Sequence, residues 1–384
     1  MKKSEGILFV THYSKMYGAN QSLLDLMIKL KDNYCINPIL MVPHKGTFSN
    51  IAKKNGIKVV YVGISTISVL HHLEKNRRII LLLKKIRYCF SRKLCIFYAK
   101  KMKLSLIYSN STATDIGYDI SRELSLPHIW HLREYGYLDY GLVPIFDLKD
   151  IIYKLRDSEA LIAISKDILH FYKELLNDSK INLVYNGIDG SRFSFVKGNI
   201  GERIICFCLC GYISEQKNQF EAIEAAKLLI DNNVCEFKIY VIGDGDEEYI
   251  LKIKEYLKAN NLSKYIELMG FRNDVIDILK KMDVGIITSL SEAFGRVTIE
   301  FMLSSMPVIG TNSGGTKEIV IEGETGYLYN VGDVNKLASC MQYYIEHHDY
   351  IMKDGLKGRN RAINMFSLDA TVNNIYEIIR QFNG

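Results

Sequence analysis

Two carboxylates stand eight positions apart in the stretch Ser291-Glu292-Ala293-Phe294-Gly295-Arg296-Val297-Thr298-Ile299-Glu300. The stretch follows an apolar run, Val284–Thr288, and opens an amphipathic one, so it reads as strand, loop and helix start. Gly295 lets a ligand approach the backbone closely. The amides of Arg296 and Val297 fall in the first helical turn, where they lack intrahelical acceptors and suit a diphosphate. Glu300 lies about one turn further in, and helical Cβ vectors tilt toward the N-terminus, so its carboxylate reaches back toward a bound ligand. Two carboxylates beside a diphosphate repel it, so their task would be to accept hydrogen bonds from sugar hydroxyls. The plainer alternative makes Glu292 a helix cap and Glu300 part of a solvated face.

Three further groups carry chemistry. Lys217, in Gly211-Tyr212-Ile213-Ser214-Glu215-Gln216-Lys217-Asn218, follows another apolar run. His131 ends Pro127-His128-Ile129-Trp130-His131-Leu132-Arg133-Glu134, in which His128 and Trp130 read equally well as core. Arg133 and Glu134 are either an acceptor-side pair or a surface ion pair. Gly18-Ala19-Asn20 begins a helix after a strand and a polar loop, an anion-friendly terminus. No Asp-x-Asp with supporting carboxylates ends a strand, and Asp244 to Glu248 read as a helix start, so no metal ion is expected.

The elements that must position these residues alternate. Strands are expected at Ile7–Thr11, Ile39–Val42, Lys58–Val62, Leu106–Ser109, His128–His131, Ala160–Ile164 and Asn182–Tyr185, with helices at Gln21–Lys31, Phe48–Lys54, Arg77–Lys103, Thr114–Leu124 and Lys166–Leu176. The pattern restarts with strands at Ile204–Cys210, Glu236–Ile242, Ile266–Leu268, Val284–Thr288, Val308–Thr311 and Gly326–Tyr329, and helices at Phe220–Asn232, Glu247–Asn260, Asp274–Lys281, Arg296–Ser305, Thr316–Ile321 and Val334–His347. Alternating βα units make a parallel sheet covered on both faces, and two runs of them make two such domains. The boundary is expected near Asn186-Gly187-Ile188-Asp189-Gly190, followed by polar Ser191–Gly201. The domains are then 1–188 and 189–366, with a helix over 367–384 returning to the first. Ligands of open parallel sheets sit beyond the carboxyl ends of the strands, where all the residues singled out above fall.

Composition sets the outer bounds. Hydrophobic residues make up 48% and charged residues 24%, a balance that excludes disordered and fibrous classes. No apolar run approaches the roughly 18–20 residues that span a bilayer, and Ile7–Val10 is too short for a secretory signal. Eight scattered cysteines form no C-x-x-C pair; Cys206, Cys208 and Cys210 share one strand face and read as small core residues in a reducing compartment. The net charge of +6 is uneven. Residues His71–Leu104 carry eleven Lys or Arg against Glu74, a local charge of +10, interleaved with Ile, Leu, Phe and Tyr. That segment is either a docking surface for an anionic membrane or a helix that buries its apolar side on the sheet and solvates its charges. Nothing else in the chain suggests nucleic acid.

The motifs together resemble the family 4 retaining glycosyltransferases (glycosyltransferase group 1, GT-B fold). The resemblance runs from Tyr17-Gly18-Ala19-Asn20 through Asn186-Gly187-Ile188-Asp189, Val241-Ile242-Gly243-Asp244-Gly245 and the Glu292–Glu300 signature to Pro307-Val308-Ile309, Ser313-Gly314-Gly315-Thr316-Lys317-Glu318 and Gly323-Glu324-Thr325-Gly326. It implies two Rossmann-like domains facing across a cleft, the first on the acceptor side and the second holding the nucleotide sugar. It implies that Glu292 contacts the donor sugar, Glu300 the ribose hydroxyls, the peptides of Phe294 and Gly295 the sugar, and those of Arg296 and Val297 the phosphates. Lys217 then stabilises the leaving diphosphate, His131 lies near the donor sugar, and Gly18 contacts the diphosphate or the acceptor. Where the family commonly has a phosphate-binding arginine the chain has Tyr212, and Arg296 is the candidate replacement. The implied chemistry is metal-independent, with no cofactor and a saccharide acceptor, lipid-linked as is common in bacterial surface-polysaccharide synthesis, at the inner face of the membrane. A GT-B epimerase acting on UDP-sugars, or a sugar-nucleotide binder without turnover, would use the same site. A nicotinamide dehydrogenase would need a G-x-G-x-x-G after the first strand, which is missing.

Overall fold

A computed structural model describes residues 6–70, 77–135, 142–177, 180–193 and 203–382. Positions 71–76 of the basic segment and 194–202, which include most of the expected polar linker, lie outside the described residues. The chain divides into two compact units, parting at Gly187/Ile188 and again at Ser367/Leu368, so the last residues rejoin the first unit.

The first unit is built on a seven-stranded parallel sheet of order β3-β2-β1-β5-β6-β8-β9. These strands are β1 (Gly6–Val10), β2 (Asn37–Val42), β3 (Lys58–Tyr61), β5 (Leu104–Ser109), β6 (His128–Leu132), β8 (Ala160–Ala163) and β9 (Ile181–Leu183). Every residue of β1 and β6 is buried, as expected of central strands covered on both faces. Helices α1 (Gly18–Tyr34), α2 (Thr47–Lys54), α3 (Arg77–Ala99), α4 (Ile116–Leu124), α5 (Leu148–Asp157) and α6 (Lys166–Leu176) connect them. A short antiparallel pair, β4 (Ser68–Leu70) with β7 (Leu142–Pro144), stands apart from the sheet.

The second unit has six parallel strands in the order β12-β11-β10-β13-β14-β15. They are β10 (Ile205–Cys210), β11 (Phe237–Ile242), β12 (Ile266–Gly270), β13 (Val284–Ile287), β14 (Val308–Thr311) and β15 (Gly326–Tyr329). Its helices are α7 (Gln219–Asp231), α8 (Glu247–Ala259), α9 (Val275–Leu279), α10 (Arg296–Leu303), α11 (Thr316–Ile319), α12 (Val334–Glu346) and α13 (His348–Met365). Ile205, Phe207 and Leu209 of β10 join the main core on one face, while Cys206, Cys208 and Cys210 occupy the other. Helix α14 (Leu368–Arg380) lies on α1, where Lys29 pairs with Asp369 and Tyr34 stacks on Tyr376 at 3.8 Å.

In each unit the chain runs outward from its first strand, then returns to the other side of that strand. The reversal falls between β1 and β5 in one unit and between β10 and β13 in the other. Such a switch point leaves a crevice at the carboxyl ends, because the two flanking loops diverge.

Helix α3 shows which side of the basic segment is buried. Tyr88, Ser91, Cys95 and Ala99 form its buried side. Tyr88 Oη lies between Asp115 Oδ1 (2.5 Å) and Asp119 Oδ2 (2.7 Å), and both carboxylates are also held by Lys154. The opposite side is apolar and exposed: Ile79, Leu82, Leu83, Ile86, Phe90, Leu94 and Phe97, with Phe90 67% exposed. Their spacings of one, three and four residues make one continuous stripe. The apolar positions are thus not all packed on the sheet.

Candidate functional site

In the second unit the loops that flank the switch point carry Lys217, after β10, and Glu292, after β13. Lys217 Nζ lies 2.6 Å from Glu292 Oε2, which also accepts from Ser289 Oγ at 3.0 Å. The loops are sewn together by Leu290 N donating to Gln216 O (3.0 Å) and Thr288 Oγ1 donating to Lys217 O (2.7 Å). Neither side chain of the ion pair is fully buried, so the pair is accessible to a ligand that would separate it.

Gly295 precedes α10 with φ 102°, in the left-handed region that glycine enters without strain. That conformation turns the chain so that the first amides of α10, those of Arg296 and Val297, are left at the helix start without intrahelical acceptors. The loop after β14 closes against the same backbone. Gly315 N donates to Glu292 O at 2.6 Å, and a Cβ on Gly315 would lie 2.0 Å from Phe294 O. Phe294 is buried against Phe366.

Glu300 sits one turn into α10. Its Oε1 accepts from Arg296 Nε at 3.0 Å. Burial pushes the Cys210 thiol up to about 12, and the Glu300 carboxylate adds to that push, which places it beside the end of β10. The guanidinium of Arg296, expected on the phosphates, is therefore engaged with Glu300. The i,i+4 spacing of the two residues was a signal for this contact. The second unit thus joins two carboxylates and two cations in two ion pairs around one helix start.

In the first unit the expected residues are placed differently. Gly18 opens α1 and is exposed, behind Asn20, whose side chain is buried and binds Tyr13 O and Lys15 O. His131 is fully buried. Its Nδ1 lies 2.6 Å from Tyr108 Oη and 3.2 Å from Arg133 Nη2. A guanidinium only donates, so Nδ1 accepts and the proton of the neutral ring is on Nε2. Burial, with Arg133 adding to it, holds the imidazole well below its usual value, so it stays neutral. His131 can donate a hydrogen bond from Nε2 but is poorly suited to taking a proton. His128 and Trp130 are buried in the core, His128 between Ser109 and Ser158.

Arg133 and Glu134 are no surface pair: both are buried. Arg133 donates to Asn110 and Asn186, each at 2.8 Å. Glu134 Oε1 accepts from Ser111 Oγ (2.7 Å), Thr112 N (2.5 Å) and Thr112 Oγ1 (2.7 Å). Among the described residues no cluster of three or more His, Cys, Asp or Glu could hold a metal ion. A surface groove lined by Arg203, Glu236, His347, His348 and Tyr350 opens at the amino ends of β10 and β11, the edge away from these groups.

Residues 191–361 match the family model described as glycosyl transferases group 1. The second unit is a group 1 glycosyl transferase domain. The group 1 match covers the Lys217 loop, the Glu292–Glu300 stretch and α11. The chain is similar to the UDP-Gal:alpha-D-GlcNAc-diphosphoundecaprenol alpha-1,3-galactosyltransferase of Escherichia coli, 31% identical over 54% of this chain. That match spans 56% of the Escherichia coli enzyme's length. The N-acetyl-alpha-D-glucosaminyl L-malate synthase of Bacillus anthracis is 25% identical over 77% of this chain and 73% of its own. Among solved structures, Anabaena HepE in complex with UDP and glucose superposes with a TM-score of 0.79 over 98% of this chain and 99% of that one, at 20% identity. The fold is that of the GT-B glycosyltransferases, with two Rossmann-like domains.

Proposed function

We propose that this chain is a retaining glycosyltransferase that moves a sugar from a nucleoside-diphosphate sugar, with uridine as the nucleoside, to a saccharide acceptor in bacterial surface-polysaccharide synthesis. The observation that carries the reading is the pairing of Lys217 with Glu292 and of Arg296 with Glu300 at the start of α10, within the group 1 domain. A diphosphate entering there meets the helix amides and a lysine, and the glutamates are left to accept from sugar and ribose hydroxyls. Uridine is supported by relatives whose names carry UDP-galactose or UDP. Lysine, arginine and helix dipole together can neutralise the leaving diphosphate, so no divalent ion is required. The reading assigns no carboxylate nucleophile. Same-face attack passes the acceptor's proton to the departing phosphate, and exclusion of water protects the activated donor. In the assay that tests this, sugar passes from UDP-glucose or UDP-galactose to a polyprenyl-diphosphate-linked saccharide in excess EDTA, with the anomeric configuration of the donor kept. Activity lost in EDTA and restored by magnesium or manganese overturns metal independence, and an inverted product overturns retention.

The acceptor's lipid would be met through α3. Among the described residues no helix is long and apolar enough to cross a membrane. The exposed stripe from Ile79 to Phe97 is instead flanked by Lys85, Arg87 and Lys93, and Arg77–Ala99 contains no acidic residue. An apolar stripe bordered by cations is the pattern of a helix lying in an anionic interface. Basic residues near such a surface contribute about 1 kcal/mol each. The wild-type chain is expected to co-sediment with phosphatidylglycerol-rich vesicles at low salt and not with phosphatidylcholine. A Phe90→Glu/Leu94→Glu double substitution, placed on the exposed side, is expected to abolish this with little effect on the melting temperature. Equal recovery of the wild type in both supernatants removes the membrane reading.

A further inference from the structure

Glu134, in the first unit's carboxyl-edge cluster, has one-sided hydrogen bonding. The residue is 8% exposed. All three donors that reach it, Ser111 Oγ, Thr112 N and Thr112 Oγ1, converge on Oε1. Oε2 accepts none of these hydrogen bonds, and it is not among the fully buried polar atoms without a partner. Among the described residues no other donor reaches the carboxylate, so this oxygen keeps a small accessible surface. A carboxylate oxygen removed from most of its water and given no protein donor is costly unless something else supplies the hydrogen bond.

The surroundings fix that oxygen in place. Tyr172 Oη donates to Glu134 O at 3.0 Å, and Arg133, next in the chain, is held by Asn110 and Asn186. Asn110 Nδ2 in turn reaches Ala19 O, tying the cluster to the start of α1. Three loops contribute: Tyr13 from the end of β1, Asn110 to Thr112 from β5, and Arg133 and Glu134 from β6. The charges of Arg133 and Glu134 both act on the Tyr13 phenol, whose titration burial shifts upward. The cluster thus lies at the β1/β5 switch point, the place where an open parallel sheet receives ligands.

We propose that the Glu134 carboxylate is a sugar-hydroxyl receptor, with Oε1 clamped by Ser111 and Thr112 and Oε2 left to accept from a ligand hydroxyl. A neutral hydroxyl suits this oxygen better than a cation, because Arg133 already supplies a positive charge beside it. An anion is excluded by the carboxylate itself. The inference deepens the glycosyl-transfer reading and rests on it for the origin of the sugar, which is either the acceptor or the transferred residue.

Glu134→Gln isolates the role of Oε2. The amide oxygen takes the place of Oε1 and keeps all three donors, while an NH2 replaces the accepting oxygen. The variant is expected to melt as the wild type does, whereas Glu134→Ala, which empties the clamp, melts lower. If the hydroxyl belongs to the acceptor, the acceptor KM of Glu134→Gln rises on the order of ten- to a hundredfold, the usual effect of losing a charged hydrogen bond, and the Kd of the UDP-sugar is unmoved. If it belongs to the transferred sugar, the Kd of the UDP-sugar rises by that factor while the Kd of UDP alone is unmoved. A folded Glu134→Gln chain with wild-type values for both overturns the proposal. Should the wild type transfer no sugar and bind no UDP-sugar, the glycosyl-transfer reading fails separately. The receptor is then decided by saturation-transfer NMR with free glucose, galactose and N-acetylglucosamine: signal in the wild type lost in Glu134→Gln supports it, and equal or absent signal in both overturns it.

Discussion

Lys217→Ala is expected to lower kcat by about a hundredfold at saturating donor, because it removes one electrostatic contact made as charge builds on the leaving group. Under the proposed transfer that charge appears on the diphosphate oxygen as the glycosidic bond breaks. The lysine ammonium is 2.6 Å from Glu292. A diphosphate, with more charge than a carboxylate, competes for it, so the lysine is held nearby in a form that costs little to redirect. The substitution should leave the fold intact. Glu292 keeps Ser289 Oγ as a donor, and the loop keeps the backbone contacts from Leu290 and Thr288 that hold it. Single-turnover kinetics with UDP-glucose or UDP-galactose measures the effect. Near-normal turnover would assign the leaving group to Arg296 instead.

The contact between Lys217 and Glu292 joins residues 75 positions apart, and spacing alone does not reveal it. What the sequence does carry is the strand-end position of each residue. Two loops beyond adjacent strand ends must meet once β10 and β13 are neighbours, and that adjacency is a property of sheet order, not of either segment. The strands themselves are legible because central parallel strands are short apolar runs between turn residues, and all thirteen expected strands form within a few residues of their bounds. The elements missed are those with weak patterns. The β4/β7 pair has three residues on each side. Helix α5 buries only Ile151 and Leu155 and is announced mainly by its cap, Asp147 accepting from Lys149 N. Helix α13 is 18 residues long, yet its buried side is Ile351, Asp354, Gly355, Gly358 and Ala362, small residues that a hydrophobic periodicity does not register. Glu134 shows the same limit in the candidate site. Its charge suggested either an acceptor-side pair or a surface ion pair, and the three donors on one oxygen that hold it buried come from residues on a different loop.

Glu300→Ala is expected to weaken UDP binding by about 3 kcal/mol, on the order of a hundredfold in Kd, if the carboxylate accepts from both ribose hydroxyls, since each hydrogen bond to a charged group is worth roughly 1.5–3 kcal/mol. The site favours this role over a phosphate or metal role. Glu300 is one turn into α10, further from the helix start than the amides suited to phosphate, and its Oε1 is oriented by Arg296 Nε at 3.0 Å. An arginine that fixes one carboxylate oxygen holds the carboxylate in place, so little order is lost when the diol binds. Stability should change little, because the core side of α10 consists of Thr298, Ile299, Phe301, Met302 and Leu303, and alanine is the better helix former. Titration calorimetry with UDP distinguishes the outcomes. Unchanged affinity in a folded variant rejects the ribose assignment. Arg296→Ala supplies the second reading: a Kd that rises severalfold with UDP and equally with uridine marks an arginine that acts through Glu300. A rise confined to UDP marks one that has turned to the phosphates on binding, in the place where the chain carries Tyr212.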